Sequence, residues 1–195
     1  MDSLNYTKNY LTESLNAKQR LLGDERILQT ISDASIAVLE TYKAGNKVLI
    51  VGNGGSAADA QHIAAEFVSR FYFDRPGLPA IALTTDTSML TAIGNDYGFE
   101  KLFSRQVQAQ GNAGDILIAI STSGNSSNIL KAVEEARSNE IRTIGLSGSD
   151  GVLCDNTDIG VRVPSGCTPH IQECHICIGH IICAYVEQQI FGDVG

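Results

Sequence analysis

Five short apolar runs, Val48 to Val51, Ala80 to Leu83, Ile116 to Ile120, Thr143 to Leu146 and Ile159 to Val163, are separated by longer stretches of mixed polarity. Runs this short and this uniformly apolar predict strands buried on both faces, the pattern of a parallel sheet. Helical spacing covers residues 56–70, 86–94, 126–139 and 168–191, so strand and helix alternate and a right-handed parallel α/β arrangement of five strands follows. Residues 4–45 stand outside the alternation. Leu11, Leu15, Leu21 and Leu22 are followed by Ile27, Ile31, Ile36, Val38 and Leu39 with no proline between, which predicts two helices broken near Gly23. That pair either packs on the sheet or forms a subunit contact.

The 195 residues, 43% hydrophobic and 18% charged, suffice for one core, and no linker or repeat marks a second domain. Fourteen basic against 22 acidic residues leave a net charge of -8, the wrong sign for a nucleic-acid surface or an anionic membrane. No apolar run approaches the roughly 20 residues that span a bilayer, and MDSLNYTKNYLTESL lacks the basic and apolar regions of a secretion signal. A cytoplasmic protein is expected, with its five cysteines reduced.

Two strand ends carry polar loops. KVLIV runs into Gly52-Asn53-Gly54-Gly55-Ser56 and then a helix, the place where open α/β sheets bind ligands. The spacing is neither GxGxxG nor GxxxxGK[ST], so neither a dinucleotide fingerprint nor a P-loop is supported, and a plain tight turn would read the same way. DILIAI runs into Ser121-Thr122-Ser123-Gly124-Asn125-Ser126, again before a helix. Ser126 alone would be an adequate cap. The surplus of hydroxyls with no charged group suits a phosphate monoester that is held and released. No Lys or Arg lies in this loop, which speaks against nucleoside triphosphates.

His62 and Glu66, four residues apart, share a helix face and make half of a metal site or an ordinary surface pair. The last helix, IQECHICIGHIICAYV, sets Gln172, Glu173, His175 and His180 among apolar residues, where polar groups must find partners or face a site. A lone histidine on such a helix is more often a core residue than a ligand. Two incomplete sets are nevertheless what a site assembled between distant helices would leave in a sequence. Cys174-x-x-Cys177 has no second pair at matching spacing, since Cys154, Cys167 and Cys183 do not supply one, and these thiols read as small core residues.

With these segments in hand, the chain resembles the sugar isomerase (SIS) domain family and, within it, the bacterial phosphoheptose isomerases. The resemblance rests on GNGGSAADAQHIAAEFVSRF at 52–71, ALTTDTSMLTAIGNDYGFE at 82–100, STSGNSSNILKA at 121–132 and IQECHICIGHII at 171–182, and it runs from about residue 30 to 190. It implies a flavodoxin-like three-layer sandwich over residues 46–195 with an N-terminal helical extension over 1–45. The implied activity converts sedoheptulose 7-phosphate into D-glycero-D-manno-heptose 7-phosphate, the first step toward nucleotide-activated heptose for lipopolysaccharide or capsule. It further implies one zinc per subunit on His62, Glu66, Gln172 and His180, with His180 as base and Glu66 as acid in an enediol mechanism. Because both of those side chains would also touch the metal, their coordination is expected to be exchangeable when substrate is bound.

Substrate positions carried over from the resemblance are Asn53, Gly54, Gly55 and Ser56 in the glycine loop, His62, Glu66 and Gln172, Asn95 and Asp96 in the GNDYG turn, and Ser121, Thr122, Ser123 and Ser126 for the phosphate. A homotetramer with sites near subunit boundaries is implied, with neither nucleic acid nor membrane as partner. Arg70, four residues after Glu66, would hold that carboxylate, meet substrate or lie on the surface. The chain departs from the family at Thr168-Pro169-His170, where many relatives carry an acidic or small residue and an arginine. Pro169 suits a first helical turn, and His170 bears on heptose selectivity, on a subunit contact or on neither. Two other readings stay open on the residues: a non-catalytic SIS binding module, and an isomerase for a shorter phosphosugar.

Overall fold

A computed structural model describes residues 2–192. Helix α1 (Ser3–Leu22) ends at Gly23 and α2 (Glu25–Lys43) starts behind the Asp24 cap, whose carboxylate accepts from the Arg26 N–H at 3.0 Å. There follow β1 (Val48–Gly52), α3 (Gly55–Val68), β2 (Ala80–Ala82), α4 (Thr87–Tyr97), a 3-10 turn (Phe99–Lys101), α5 (Ser104–Gln110), β3 (Ile116–Ser121), α6 (Ser127–Ser138), β4 (Arg142–Ser147), α7 (Leu153–Asn156), β5 (Ile159–Arg162) and α8 (Thr168–Phe191).

All five strands pair in parallel in the order β2-β1-β3-β4-β5. This is the flavodoxin-like order, whose switch point lies where the chain leaves β1 in opposite directions, toward β2 and toward β3. Side chains alternate along each strand. Val48, Ile50, Ile116, Ile118 and Ile120 pack with α2, α3 and α8, whereas Leu49, Val51, Leu117 and Ala119 pack with α5 and α6 on the other face. Burial on both sides is why the strands read as continuous apolar runs.

Of the N-terminal pair, α2 takes the expected role of packing on the sheet. From α2, Ile31, Ala34, Ala37, Val38 and Leu39 are buried in the sheet-side core. α1 buries only Ser14 and Ala17, and its Leu4, Leu11, Leu15 and Leu22 stay exposed. Two elements lay outside the sequence reading: α5 and α7 are too short, at seven and four residues, to establish a helical period. The strand expected to reach Leu83 ends at Ala82, and the one expected to reach Val163 ends at Arg162. All five cysteines are free. Among the described residues no helix is long and apolar enough to cross a membrane.

Candidate active site

At the carboxyl end of β1 the chain turns sharply into α3. Gly54 has φ 56 and ψ -121, a backbone conformation closed to residues with a side chain, and a Cβ on Gly52 would lie 2.3 Å from the Ser56 carbonyl oxygen. The Asn53 side chain is tied to α6 by a reciprocal amide pair with buried Asn128, Nδ2 to Oδ1 at 2.8 Å and back at 2.9 Å. Asn128 escaped the sequence reading, because its partner lies 75 positions away.

The loop after β3 sits on the other side of the switch point. Ser126 is the N-cap residue of α6, yet its side chain makes no capping bond; its hydroxyl meets that of Ser121 at 3.1 Å, and Ser121 also faces Ser123 at 3.4 Å. The N-terminus of α6 is therefore left without a side-chain acceptor, and it faces the loop with its positive dipole end. Gly124 has φ 65 and lets the loop fold back, its N–H donating to the Ser121 carbonyl at 3.0 Å. Thr122 contributes its carbonyl to the Gly148 N–H at 3.1 Å.

The two polar helices meet where α8 carries a glycine. A Cβ on Gly179 would stand 2.6 Å from the Ile63 Cδ1, so only glycine lets α8 approach α3 this closely. The residues next to that contact, His62 and His180, consequently stack edge to face with ring centroids 5.0 Å apart. His62 Nε2 lies 3.0 Å from Glu66 Oε1, and ligand atoms of His62, Glu66 and His180 all fall within 4.8 Å of one another. His180 Nε2 is buried and has no hydrogen-bond partner. A buried nitrogen without a partner is costly. Placed beside another imidazole and a carboxylate, it fits a zinc-type metal through two nitrogens and one oxygen. Phe71 covers the His180 ring from the side at 5.5 Å between centroids.

Gln172, also on α8, lies over the glycine loop. Its amide nitrogen occupies the space over Gly55, 2.4 Å from where a Cβ would be, at the first turn of α3 and seven residues before His62. Asn95 and Asp96 sit exposed at the end of α4, bonded to each other at 2.8 Å, and α4 buries none of its residues within the single chain. Arg70 lies beyond the end of α3 at Val68, exposed and with no ion pair to Glu66. His170 is buried at 3% exposure beneath α1 of its own chain, edge-on to Tyr10 at 4.8 Å and 3.6 Å from Glu13 Oε2.

One acid near the site was missed. Asp59, a turn before His62, has a buried carboxylate oxygen without a partner, and burial raises its pKa against the opposing pull of His62. His175 is not part of the group: it is fully buried, its Nε2 donates to the Ser147 carbonyl at 3.2 Å, and burial lowers its pKa to about 4.

Known proteins share this fold over nearly the whole chain. The SIS domain family profile matches residues 9–148. Phosphoheptose isomerase 2 of Campylobacter jejuni is 62% identical over 194 residues, 98% of this chain and 96% of the relative. The solved phosphoheptose isomerase of Francisella tularensis superposes with a TM-score of 0.92 at 43% identity, covering 96% of this chain and 100% of that one. The Neisseria gonorrhoeae phosphoheptose isomerase gives 0.90 at 41% identity, with 96% and 100% covered. The family profile, the near full-length identity and the shared fold together make this chain a member of the SIS domain family, in its phosphoheptose isomerase group.

Proposed function

We propose that this protein isomerises sedoheptulose 7-phosphate to D-glycero-D-manno-heptose 7-phosphate through an enediol, in the cytoplasm, as the entry step to nucleotide-activated heptose for lipopolysaccharide or capsule. The observation that carries the proposal is the meeting of His62, Glu66 and His180 at the α3–α8 contact, beside a β1 turn and a β3 serine loop that flank one switch point.

The serine loop takes the phosphate. Hydroxyls of Ser121, Thr122, Ser123 and Ser126, with the open N-terminus of α6, supply donors and a positive dipole end without a fixed cation. The turn Asn53-Gly54-Gly55-Ser56 and the Gln172 amide lie along the sugar's path toward the two histidines. In the ketose-to-aldose direction, His180 accepts a proton from C1 and the Glu66 carboxyl returns one to C2, while the hydroxyl proton passes to the former carbonyl oxygen. One zinc per subunit, held by His62, Glu66 and His180 with Gln172 as a further donor, would polarise the sugar oxygens and ease proton loss beside the carbonyl. The His180 nitrogen would act as ligand and as base in turn, since one lone pair cannot do both at once.

A homotetramer is the proposed assembly. The exposed leucines of α1 share one face, and apolar α4 buries nothing in the single chain although it carries Asn95 and Asp96. Both are surfaces that a neighbouring subunit would cover, bringing the substrate positions of α4 into an enclosed site.

Isomerisation of sedoheptulose 7-phosphate by chelator-stripped protein, followed by NMR of the sugar with and without added zinc, tests the proposal. Turnover that appears on adding zinc is the expected result. Turnover without metal would remove zinc from the mechanism, and none in either condition, or a clear preference for a six-carbon ketose phosphate, would overturn the heptose assignment.

A further inference from the structure

Helix α3 ends at Val68 without a glycine cap, Ser69 taking φ -87 and ψ -106, so the carbonyls of its last turn need outside donors. Arg75 supplies several from the loop that follows, and the Leu78 N–H adds one to the Phe67 carbonyl at 3.0 Å. Its Nη2 donates to the Glu66 carbonyl at 2.8 Å, and its Nη1 to the Phe67 carbonyl at 2.6 Å and the Ser69 carbonyl at 3.1 Å. Its Nε donates to Glu187 on α8 at 2.9 Å, and the same carboxylate accepts the backbone N–H of Phe71 at 2.8 Å and of Tyr72 at 2.6 Å. The side chains of the pair are 2% and 1% exposed. One buried fork thus closes α3 at the residue that carries the site carboxylate, and its counter-ion holds Phe71 where it covers His180.

We propose that Arg75 and Glu187 are positioning residues for the metal group: their ion pair sets the spacing of Glu66 against His180 and thereby the site's affinity for a divalent cation. The inference rests on the metal reading above. A guanidinium is required because only a planar fork with five donors serves two helix-end carbonyls and a carboxylate together; a lysine would keep the charge and lose the geometry.

Chelator-stripped full-length protein is titrated with cobalt(II), reading affinity by chelator competition and coordination by the visible absorption bands. Arg75→Lys is expected to weaken cobalt binding about tenfold, in the range seen when groups supporting metal ligands are removed, and to change the bands. Lys47→Met is the control. It removes another buried ion pair, Lys47 to Asp115 at 2.5 Å, at the opposite end of the sheet, and is expected to leave affinity and bands unaltered. Unaltered binding in Arg75→Lys, or an equal loss in Lys47→Met, would overturn the proposal and leave the metal reading standing. No cobalt binding by the unsubstituted protein would overturn the metal reading, and this proposal with it. Should Arg75→Lys not fold, Glu187→Gln takes its place in the same comparison. Hydrogen exchange on the unsubstituted protein reads the coupling from the other side, since a clamp that favours the metal must itself be favoured by it. Cobalt is expected to slow exchange of the Phe71 and Tyr72 amides more than those of β4, and no such difference would overturn the inference.

Discussion

The unpartnered ring nitrogen of His180 and the carboxylate of Glu66 define the site at the scale of single residues. Glu66→Gln removes the proposed proton donor while keeping the shape of the side chain, and His180→Ala removes the proposed base. Each is expected to lower kcat by about 100-fold or more with an unchanged circular dichroism spectrum, and full activity in Glu66→Gln would end the acid–base assignment. His62 and Glu66 were legible in the sequence, because four residues along a helix is a fixed geometric relation. Arg70 was weighed by the same rule and fails it, since the helix stops at Val68 before reaching that position. Arg75 offered no signal at all. Its partners are backbone carbonyls, which carry no residue identity, and a glutamate 112 positions later.

Helices meeting helices decide whether those residues can act together. Gly179 permits the close approach of α8 to Ile63, and Gly179→Val would wedge the helices apart at the two histidines. Overpacking of this kind costs about 1–3 kcal/mol, read by thermal melting, and here it is expected to lower cobalt affinity and kcat together, read by cobalt titration and the isomerase assay. At the other loop, Ser126 takes no capping bond with its side chain. Ser126→Ala is therefore expected to leave the melting temperature nearly unchanged while raising KM for the phosphosugar. A fall in stability of the size of a lost cap, about 1 kcal/mol, with unaltered KM would assign the hydroxyl to the helix instead. Hydroxyl density marks the loop as a candidate anion site, but the departure of Ser126 from the capping role shows only once its neighbour Ser121 is placed.

At the scale of the whole molecule stability depends on pH, and His175 and Glu187 are two of the groups through which it does so. His175 is held neutral with a pKa near 4, below the ordinary 6.5, because burial disfavours the charged ring. The unfolded chain then binds the extra proton between those values, so the stability contributed is full above about pH 6.5 and is lost as pH falls toward about 4, up to about 3 kcal/mol. Glu187 acts in the same direction at lower pH. Burial works against its charge, but the N–H groups of Tyr72 and Phe71 and the Arg75 guanidinium outweigh it and hold its pKa below the ordinary value; that stability is present above the unfolded carboxylate's pKa and lost as pH falls through the lowered one. Melting temperature is expected to decline from pH 6.5 downward, and His175→Gln to flatten the upper part of that decline. A flat profile in the unsubstituted protein would contradict the burial argument. At the same scale, Leu11→Glu with Leu15→Glu on the exposed face of α1 is expected to lower the mass measured by light scattering, and a monomer before substitution would remove the tetramer.

Strand number, the alternation of strand and helix and the two polar loops at strand ends were all determined by the sequence, because a strand buried on both faces must be apolar throughout and a turn such as Gly54 admits no side chain. Only the tertiary structure decided which polar residues of α8 face α3. Helical period fixes a face but not the neighbour it meets; α8 packs on α2 as well as on α3, and Gly179 is where it comes close to Ile63 of α3. It also separated His180, which joins the metal-type group, from His175, which is spent on a backbone carbonyl, and it set His170 against α1 of the same chain. All three histidines lie on one apolar helix and helical period alone does not tell them apart; what distinguishes them in the fold is the partner each finds across a gap that no local pattern encodes.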